Sequence, residues 1–521
     1  MRFERVSIPH SKLRPTVALL CLVTLLATSF VLPVATASAE GTSQQKPAVN
    51  KHPLTHKDYD SWRSIQAAQI SRDGKFIAYA YMPQDGDGEI VVRAIAGGSE
   101  WKAPRGYRPP VPPPDDPGAN LVEFQAAQAR LLRPVFTADS RFLIFGTEPT
   151  KLELNKAKKD KKKPEEMPKN GLGIMDLSTG TVTNIERVKS FQVPEDGAGF
   201  VAYLLEAPIP EKPAAPAGPS ATPGATEASA QSSPPQRPQS GRASKKKEYG
   251  TELVLRALST GTEHKFSDVL EYTFNKDAKT LVFATSSKTE ATNGVYSVQP
   301  QTAGESITLL SGKGKYQRLT WDEDNTQLAF ISDKDDAETP QAKFKVYHWN
   351  RKDQQAAEII STSSTGFRKE YVISDKANLI FSLDGSRLFI GSAPPADAEK
   401  NADEEIPGDE KVVVDLWHWK DDYIQPIQKI RAEQERNKSF RAVYIFEDKK
   451  FVQLADETLE SVNPSTDGRY AIGTDNRKYR VISDYDPGFS DYYLVNTSDG
   501  ARKPLLAKQR GAVSLSPGAT Y

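Results

Sequence analysis

Ser71-Arg72-Asp73-Gly74-Lys75-Phe76-Ile77-Ala78-Tyr79 decides the fold, because the same phrase returns along the chain. A polar residue, a spacer, Asp, a small or polar residue and one or two more residues precede a short apolar run. Thr137-Ala138-Asp139-Ser140 runs into Phe142-Leu143-Ile144-Phe145, and Asn275-Lys276-Asp277-Ala278 into Leu281-Val282-Phe283. Asp322-Glu323-Asp324-Asn325 leads to Leu328-Ala329-Phe330-Ile331, Ser382-Leu383-Asp384-Gly385 to Leu388-Phe389-Ile390, and Ser465-Thr466-Asp467-Gly468 to Tyr470-Ala471-Ile472. A looser copy is Glu195-Asp196-Gly197 before Phe200-Val201-Ala202-Tyr203.

Asp-Gly and Asp-Ser make tight turns in which the Asp side chain bonds local backbone, and each apolar run reads as a strand buried on both faces. Outer-strand segments lie between copies, such as Leu253-Val254-Leu255-Arg256-Ala257-Leu258-Ser259-Thr260-Gly261. Four strands in a period of roughly 45–60 residues is the size of a propeller blade. The expected fold is therefore all-β, a β-propeller of seven or eight four-stranded blades with one short helical insert and disordered loops. A β-sandwich would not repeat in this way.

Three inserts lengthen the intervals. Residues 151–170 form a charge-dense stretch containing Lys158-Lys159-Asp160-Lys161-Lys162-Lys163, read as a solvated loop. Residues 208–247 are a Pro/Ala/Ser/Gly tract that cannot bury a core, and 396–410 are acidic. Beyond them a helix is predicted from Pro426 to Asn437, with Pro in its first turn and Ile424, Ile427 and Ile430 as the stripe that docks it.

Lys+Arg and Asp+Glu are both 68, so no net field selects nucleic acid or an anionic membrane. The first 39 residues carry Arg2, Arg5, Lys12 and Arg14, an apolar run from Val17 to Val34, and Ala37-Ser38-Ala39 before Glu40. This reads as a signal peptide, placing the mature domain at 40–521 in the periplasm or outside the cell, with no membrane attachment after cleavage. Cys21 is the only cysteine, so the mature chain would have neither disulfide nor thiol nucleophile.

The search for chemistry yields near misses, so no catalytic, cofactor-binding or metal-binding residue is assigned and no cofactor is expected. Gly488-Phe489-Ser490-Asp491-Tyr492 and Gly218-Pro219-Ser220-Ala221-Thr222 lack the closing glycine of a nucleophile elbow, and no histidine follows His418. His52-Pro53-Leu54-Thr55-His56 has zinc-pair spacing, but Pro53 and the missing glutamate favour a loop. Asp85-Gly86-Asp87-Gly88-Glu89 reads as a hairpin turn rather than a calcium loop. Trp417 and Trp419 flank His418, and strand alternation would put both indoles on one packed face.

Asp58-Tyr59-Asp60-Ser61-Trp62 leading into Ile70 to Tyr79, and Val414-Asp415-Leu416-Trp417-His418-Trp419-Lys420-Asp421, resemble the N-terminal propeller of bacterial prolyl oligopeptidase family serine peptidases. The likeness covers roughly residues 50–521. It implies a substrate-gating, non-catalytic propeller, with peptide hydrolysis done by a C-terminal α/β-hydrolase domain missing from this chain. Whether the chain itself is an enzyme stays open. Ser514-Leu515-Ser516-Pro517-Gly518-Ala519-Thr520-Tyr521 reads as a further copy of the repeat, so an incomplete propeller is expected. The alternatives are a self-standing periplasmic propeller that binds a protein or glycan, and a propeller glycosidase whose acid pair the sequence does not single out.

Overall fold

Residues 53–108, 133–208, 248–302, 305–339, 342–395, 416–483 and 485–518 are described by the computed structural model. His56–Tyr521 is one compact unit, and every described sheet lies in it. The leader, nearly all of the 208–247 tract, the 396–410 insert and Tyr521 lie outside the described residues.

Among the described residues the strands form seven successive four-stranded antiparallel units, as the repeat predicts. Helix α1 (His56–Asp60) precedes unit one, which is β1 (Arg63–Ile70), β2 (Phe76–Pro83), β3 (Asp87–Ala94) and β4 (Glu100–Tyr107). Unit two is β5 (Val135–Phe136), β6 (Phe142–Thr147), β7 (Gly171–Asp176) and β8 (Val182–Ile185). In unit three, β9 (Val188–Gln192), β10 (Phe200–Leu205) and β11 (Thr251–Ala257) pair with the first half of β12 (Glu263–Phe274). The second half of β12 opens unit four, completed by β13 (Leu281–Thr285), β14 (Gly294–Val298) and β15 (Ile307–Ser311). Unit five is β16 (Tyr316–Trp321), β17 (Gln327–Ser332), β18 (Lys345–Asn350) and β19 (Ala357–Ile360). Unit six splits its first strand into β20 (Val372–Ile373) and β21 (Ile380–Phe381), then continues with β22 (Arg387–Ala393), β23 (Phe440–Ile445) and β24 (Lys450–Gln453). Unit seven is β25 (Ser461–Pro464), β26 (Tyr470–Asp475), β27 (Phe489–Asn496) and β28 (Arg502–Arg510).

The repeated phrase is the turn between first and second strands, and four copies share one hydroxyl-to-carboxylate bond. In the first copy the Ser71 hydroxyl donates to Asp73 at 2.6 Å and accepts the Phe76 amide at 2.9 Å, while Asp73 accepts the Lys75 amide at 3.1 Å. Thr137 with Asp139, Ser382 with Asp384, and Ser465 with Asp467 repeat the first bond at the same 2.6 Å. The fourth residue is left-handed in six copies, with φ of +71° at Gly74, +56° at Ser140, +59° at Ala278, +56° at Asn325, +67° at Gly385 and +73° at Gly468. Three of these six are not glycine, so the side-chain bonds of the turn overcome a cost of about 1–2 kcal/mol per residue.

Second strands are buried on both faces, and alternate residues serve different neighbours. In β6, Leu143 and Phe145 pack with Ala78, Ala80 and Met82 of unit one, whereas Phe142 and Ile144 pack with Val201 and Tyr203 of unit three. In β13, Leu281 and Phe283 face unit three, and Val282 and Ala284 face unit five. Five apolar clusters thus join consecutive units, the largest spanning units five, six and seven. Among the described residues none joins unit seven to unit one.

Two expectations are corrected. Residues 151–170 are not simply a loop: Lys151–Lys159 form helix α2, held by a capping box in which the Thr150 hydroxyl takes the Glu153 amide and the Glu153 carboxylate takes the Thr150 amide. Its first residue is tied to unit one, since Lys151 Nζ meets Asp85 at 2.5 Å and its amide donates to Asp87 at 2.8 Å. The second correction concerns Trp417 and Trp419, which lie in no strand and are 61% and 81% exposed. His418 stacks on Trp419 at 5.8 Å instead of separating two packed indoles. The helix after them, α3 (Gln425–Arg436), forms as predicted, but only Ile427 of its stripe is buried.

Candidate functional site

The first strands of units four, five and six are neighbours, β16 lying against both β12 and β21. Two cavities follow these first strands. The smaller, about 320 Å³, is bounded by Ser190, Gln192, Glu271 and Leu319, and the larger, about 520 Å³, runs across units five to seven.

The smaller cavity is built from polar groups that stitch strands of different units. The Gln192 amide donates to the Tyr272 carbonyl at 3.0 Å and its oxygen accepts the Phe274 amide at 3.0 Å, so a side chain takes the place of a strand. Ser190 and Tyr272 hydroxyls meet at 3.1 Å. Burial pushes the Tyr272 phenol above its ordinary range. In β16, Arg318 and Leu319 oppose the single residue Phe330 of β17, a bulge in which Arg318 adopts φ +65°. Glu271 closes that bulge by accepting the Arg318 amide at 2.7 Å and the Leu319 amide at 2.9 Å. Burial raises the Glu271 carboxyl above its usual range, and the two amides oppose this. The Arg318 guanidinium turns to unit six, donating to the Asp375 carbonyl at 2.8 Å and to Asn378 at 2.7 Å.

The larger cavity has a different lining. Trp321, Phe381 and Phe389 supply aromatic walls, Asn463 and Thr466 polar ones, and Arg441 a cation. Glu323 also borders it, but is exposed and ion-paired with Lys276.

The residues singled out by motif do not gather here. Ser490 sits within β27, its backbone paired with Gln509, in a strand and not a strand-to-helix elbow. Its neighbour Asp491 is held by Lys478 at 2.8 Å, Tyr479 at 2.7 Å and the Lys508 amide at 2.9 Å, which bring its carboxyl down to about 2. Ser220 and His52 are outside the described residues. Asp85 to Glu89 runs from the β2–β3 hairpin turn, with Gly86 at φ +139°, into β3, where Glu89 pairs with Tyr81. Glu271 and Arg441 were missed, although each is a charge inside an otherwise apolar strand, in Leu270-Glu271-Tyr272 and Phe440-Arg441-Ala442. That interruption was the available signal.

No family model matches the chain, and no curated protein matches it in sequence. Solved structures do, at low similarity. The tricorn protease aligns over 89% of this chain and 36% of its own, at 12% identity and a TM-score of 0.33. The β-propeller domain of the Trilobed protease from Pyrococcus furiosus aligns over 86% and 100%, at 7% and 0.31. Porphyromonas gingivalis dipeptidyl peptidase 4 aligns over 85% and 52%, at 10% and 0.37. The chain thus spans about a third of the tricorn protease and about half of dipeptidyl peptidase 4. These are propeller-bearing peptidases of the kind the sequence resembles, and at such TM-scores they carry no argument about function.

Proposed function

We propose that this chain is the substrate-gating, non-catalytic propeller portion of an exported serine peptidase that resembles the prolyl oligopeptidase family and acts on peptides. On this reading the leader directs export, and hydrolysis belongs to an α/β-hydrolase domain outside this chain. The supporting observation is the place of both cavities, which follow the neighbouring first strands where a propeller's central passage runs. The Asp58 to Trp62 and Trp417 to Asp421 phrases support the same reading through their resemblance. The test has two parts. Residues 40–521 should bind short peptides in calorimetry yet release no product from peptide p-nitroanilides, and the gene beyond Tyr521 should encode a Gly-x-Ser-x-Gly elbow. A stop codon there, or turnover that survives mutation of both Ser220 and Ser490, would overturn it.

A self-standing propeller that binds a protein or glycan is the second reading. Its support is the exposed apolar stretch of Leu416, Trp417 and Trp419, which are 93%, 61% and 81% exposed.

A further inference from the structure

Arg441 is the second residue of β23 and borders the larger cavity. It is partly buried, and among the described residues its guanidinium meets no hydrogen-bond acceptor and no ion-pair partner. Burial lowers its proton affinity, and no carboxylate among the described residues opposes this. Two other partly buried arginines differ: Arg480 is held by Glu460 and by Asp422, and Arg318 by two acceptors of unit six. Removing a cation from water without a partner is expensive, so a fold that keeps one at a cavity wall leaves it available for an external acceptor.

The surrounding groups fit the same acceptor. The Trp321 indole Nε1–H is buried and meets no acceptor. Glu323, the acid on the lining, is engaged by Lys276 and does not neutralise Arg441. Ser382 and Ser465 spend their hydroxyls on Asp384 and Asp467. What the cavity offers is therefore one planar cation between aromatic walls.

We infer that this cavity is a carboxylate-binding site in which the Arg441 guanidinium is the anchor and the ligand is a short peptide, held by its C-terminal or an acidic side-chain carboxylate. The choice of a peptide rests on the reading of the central passage as a path for peptides. A guanidinium fork matches a carboxylate with two parallel N–H donors, and Trp321, Phe381 and Phe389 would cover the apolar part of the residue that bears it.

Titration calorimetry on residues 40–521 tests this with Gly-Gly-Phe as the free acid, its C-terminal amide, the amidated peptide Gly-Asp-Phe, and glutarate. The free acid is expected to bind about tenfold or more tightly than its amide, a preference that Arg441→Gln abolishes and Arg441→Lys reduces. Arg441→Gln should melt no lower than the parent, since no protein partner is lost, and this shows that lost binding is not lost folding. Amidated Gly-Asp-Phe binding in an Arg441-dependent way would assign the side-chain source and uphold the site. If acid and amide bind equally, or Arg441→Gln binds the acid as the parent does, the carboxylate site is overturned while peptide binding stands. If only glutarate binds, and needs Arg441, the anchor stands and the peptide path fails. No binding by any probe would overturn both.

Discussion

Glu271 of unit four accepts the backbone amide of Arg318 in unit five at 2.7 Å, and that of Leu319 at 2.9 Å, so one carboxylate satisfies both amides of the β16 bulge. Arg318 then passes the connection to unit six through Asp375 and Asn378. The bulge is a joint among three units.

Glu271→Gln should cost about 1–3 kcal/mol in acid, because one bulge amide then faces an NH₂ group. Burial raises the folded carboxyl above its ordinary value, so the native state holds its proton more firmly than the unfolded chain. That contribution is fully present below pH 4.5, the ordinary value, and is lost as pH rises through the raised one. The gap between parent and variant in thermal unfolding should therefore shrink from pH 4 to pH 7. A gap that widens would show that the amides outweigh burial.

Gly74 and Gly468 separate two costs at equivalent turn positions. Both are left-handed, but a Cβ on Gly74 meets nothing within 4 Å, whereas one on Gly468 would lie 2.8 Å from Ser382 Cβ. Gly74→Ala should cost about 1–2 kcal/mol from backbone alone, and Gly468→Ala clearly more. Equal losses in urea unfolding would mean that the turns of units six and seven are not in close contact.

Asp456 is pushed up by burial but held down to about 2 by hydrogen bonds from Arg502 and Thr458. Its contribution to stability is present above the ordinary value of 3.8 and disappears as pH falls through about 2. Asp456→Asn should lose about 2 kcal/mol at pH 7 and match the parent near pH 2. Parallel stability curves across that interval would refute the assignment.

Trp417→Ala and Trp419→Ala should each change stability by less than about 0.5 kcal/mol, since both indoles stand in solvent. Acrylamide should quench the emission of the parent more than that of the double variant. A loss of several degrees in melting temperature would restore the packed face that strand alternation suggested.

The turns were legible because Asp at the third position and a small residue at the fourth encode a local bond pattern that needs no tertiary partner. Continuous apolar runs likewise located β6, β13 and β17, which are buried on both faces. Helix α2 was missed although Thr150-Lys151-Leu152-Glu153 is a capping box, because the lysine run after it was read as solvated loop. Trp417 and Trp419 were misplaced because aromatic content says that a residue can be buried, not that a strand exists to bury it. Glu271 and Arg441 come to their cavities from different strands of different units, a convergence set by how sheets pack and invisible along one strand.

The five clusters couple each unit chiefly to the next, as links in a row share a load. Damage to one link need not travel: a cavity cut into the Leu281 and Phe283 layer weakens the grip of units three and four while leaving the layer around Leu388 and Phe389 intact. Tension applied at the two ends of the row would meet units one and seven first, each gripped from one side among the described residues. Such a molecule yields in steps, and amide exchange should show protection rising inward from both ends rather than one uniform value.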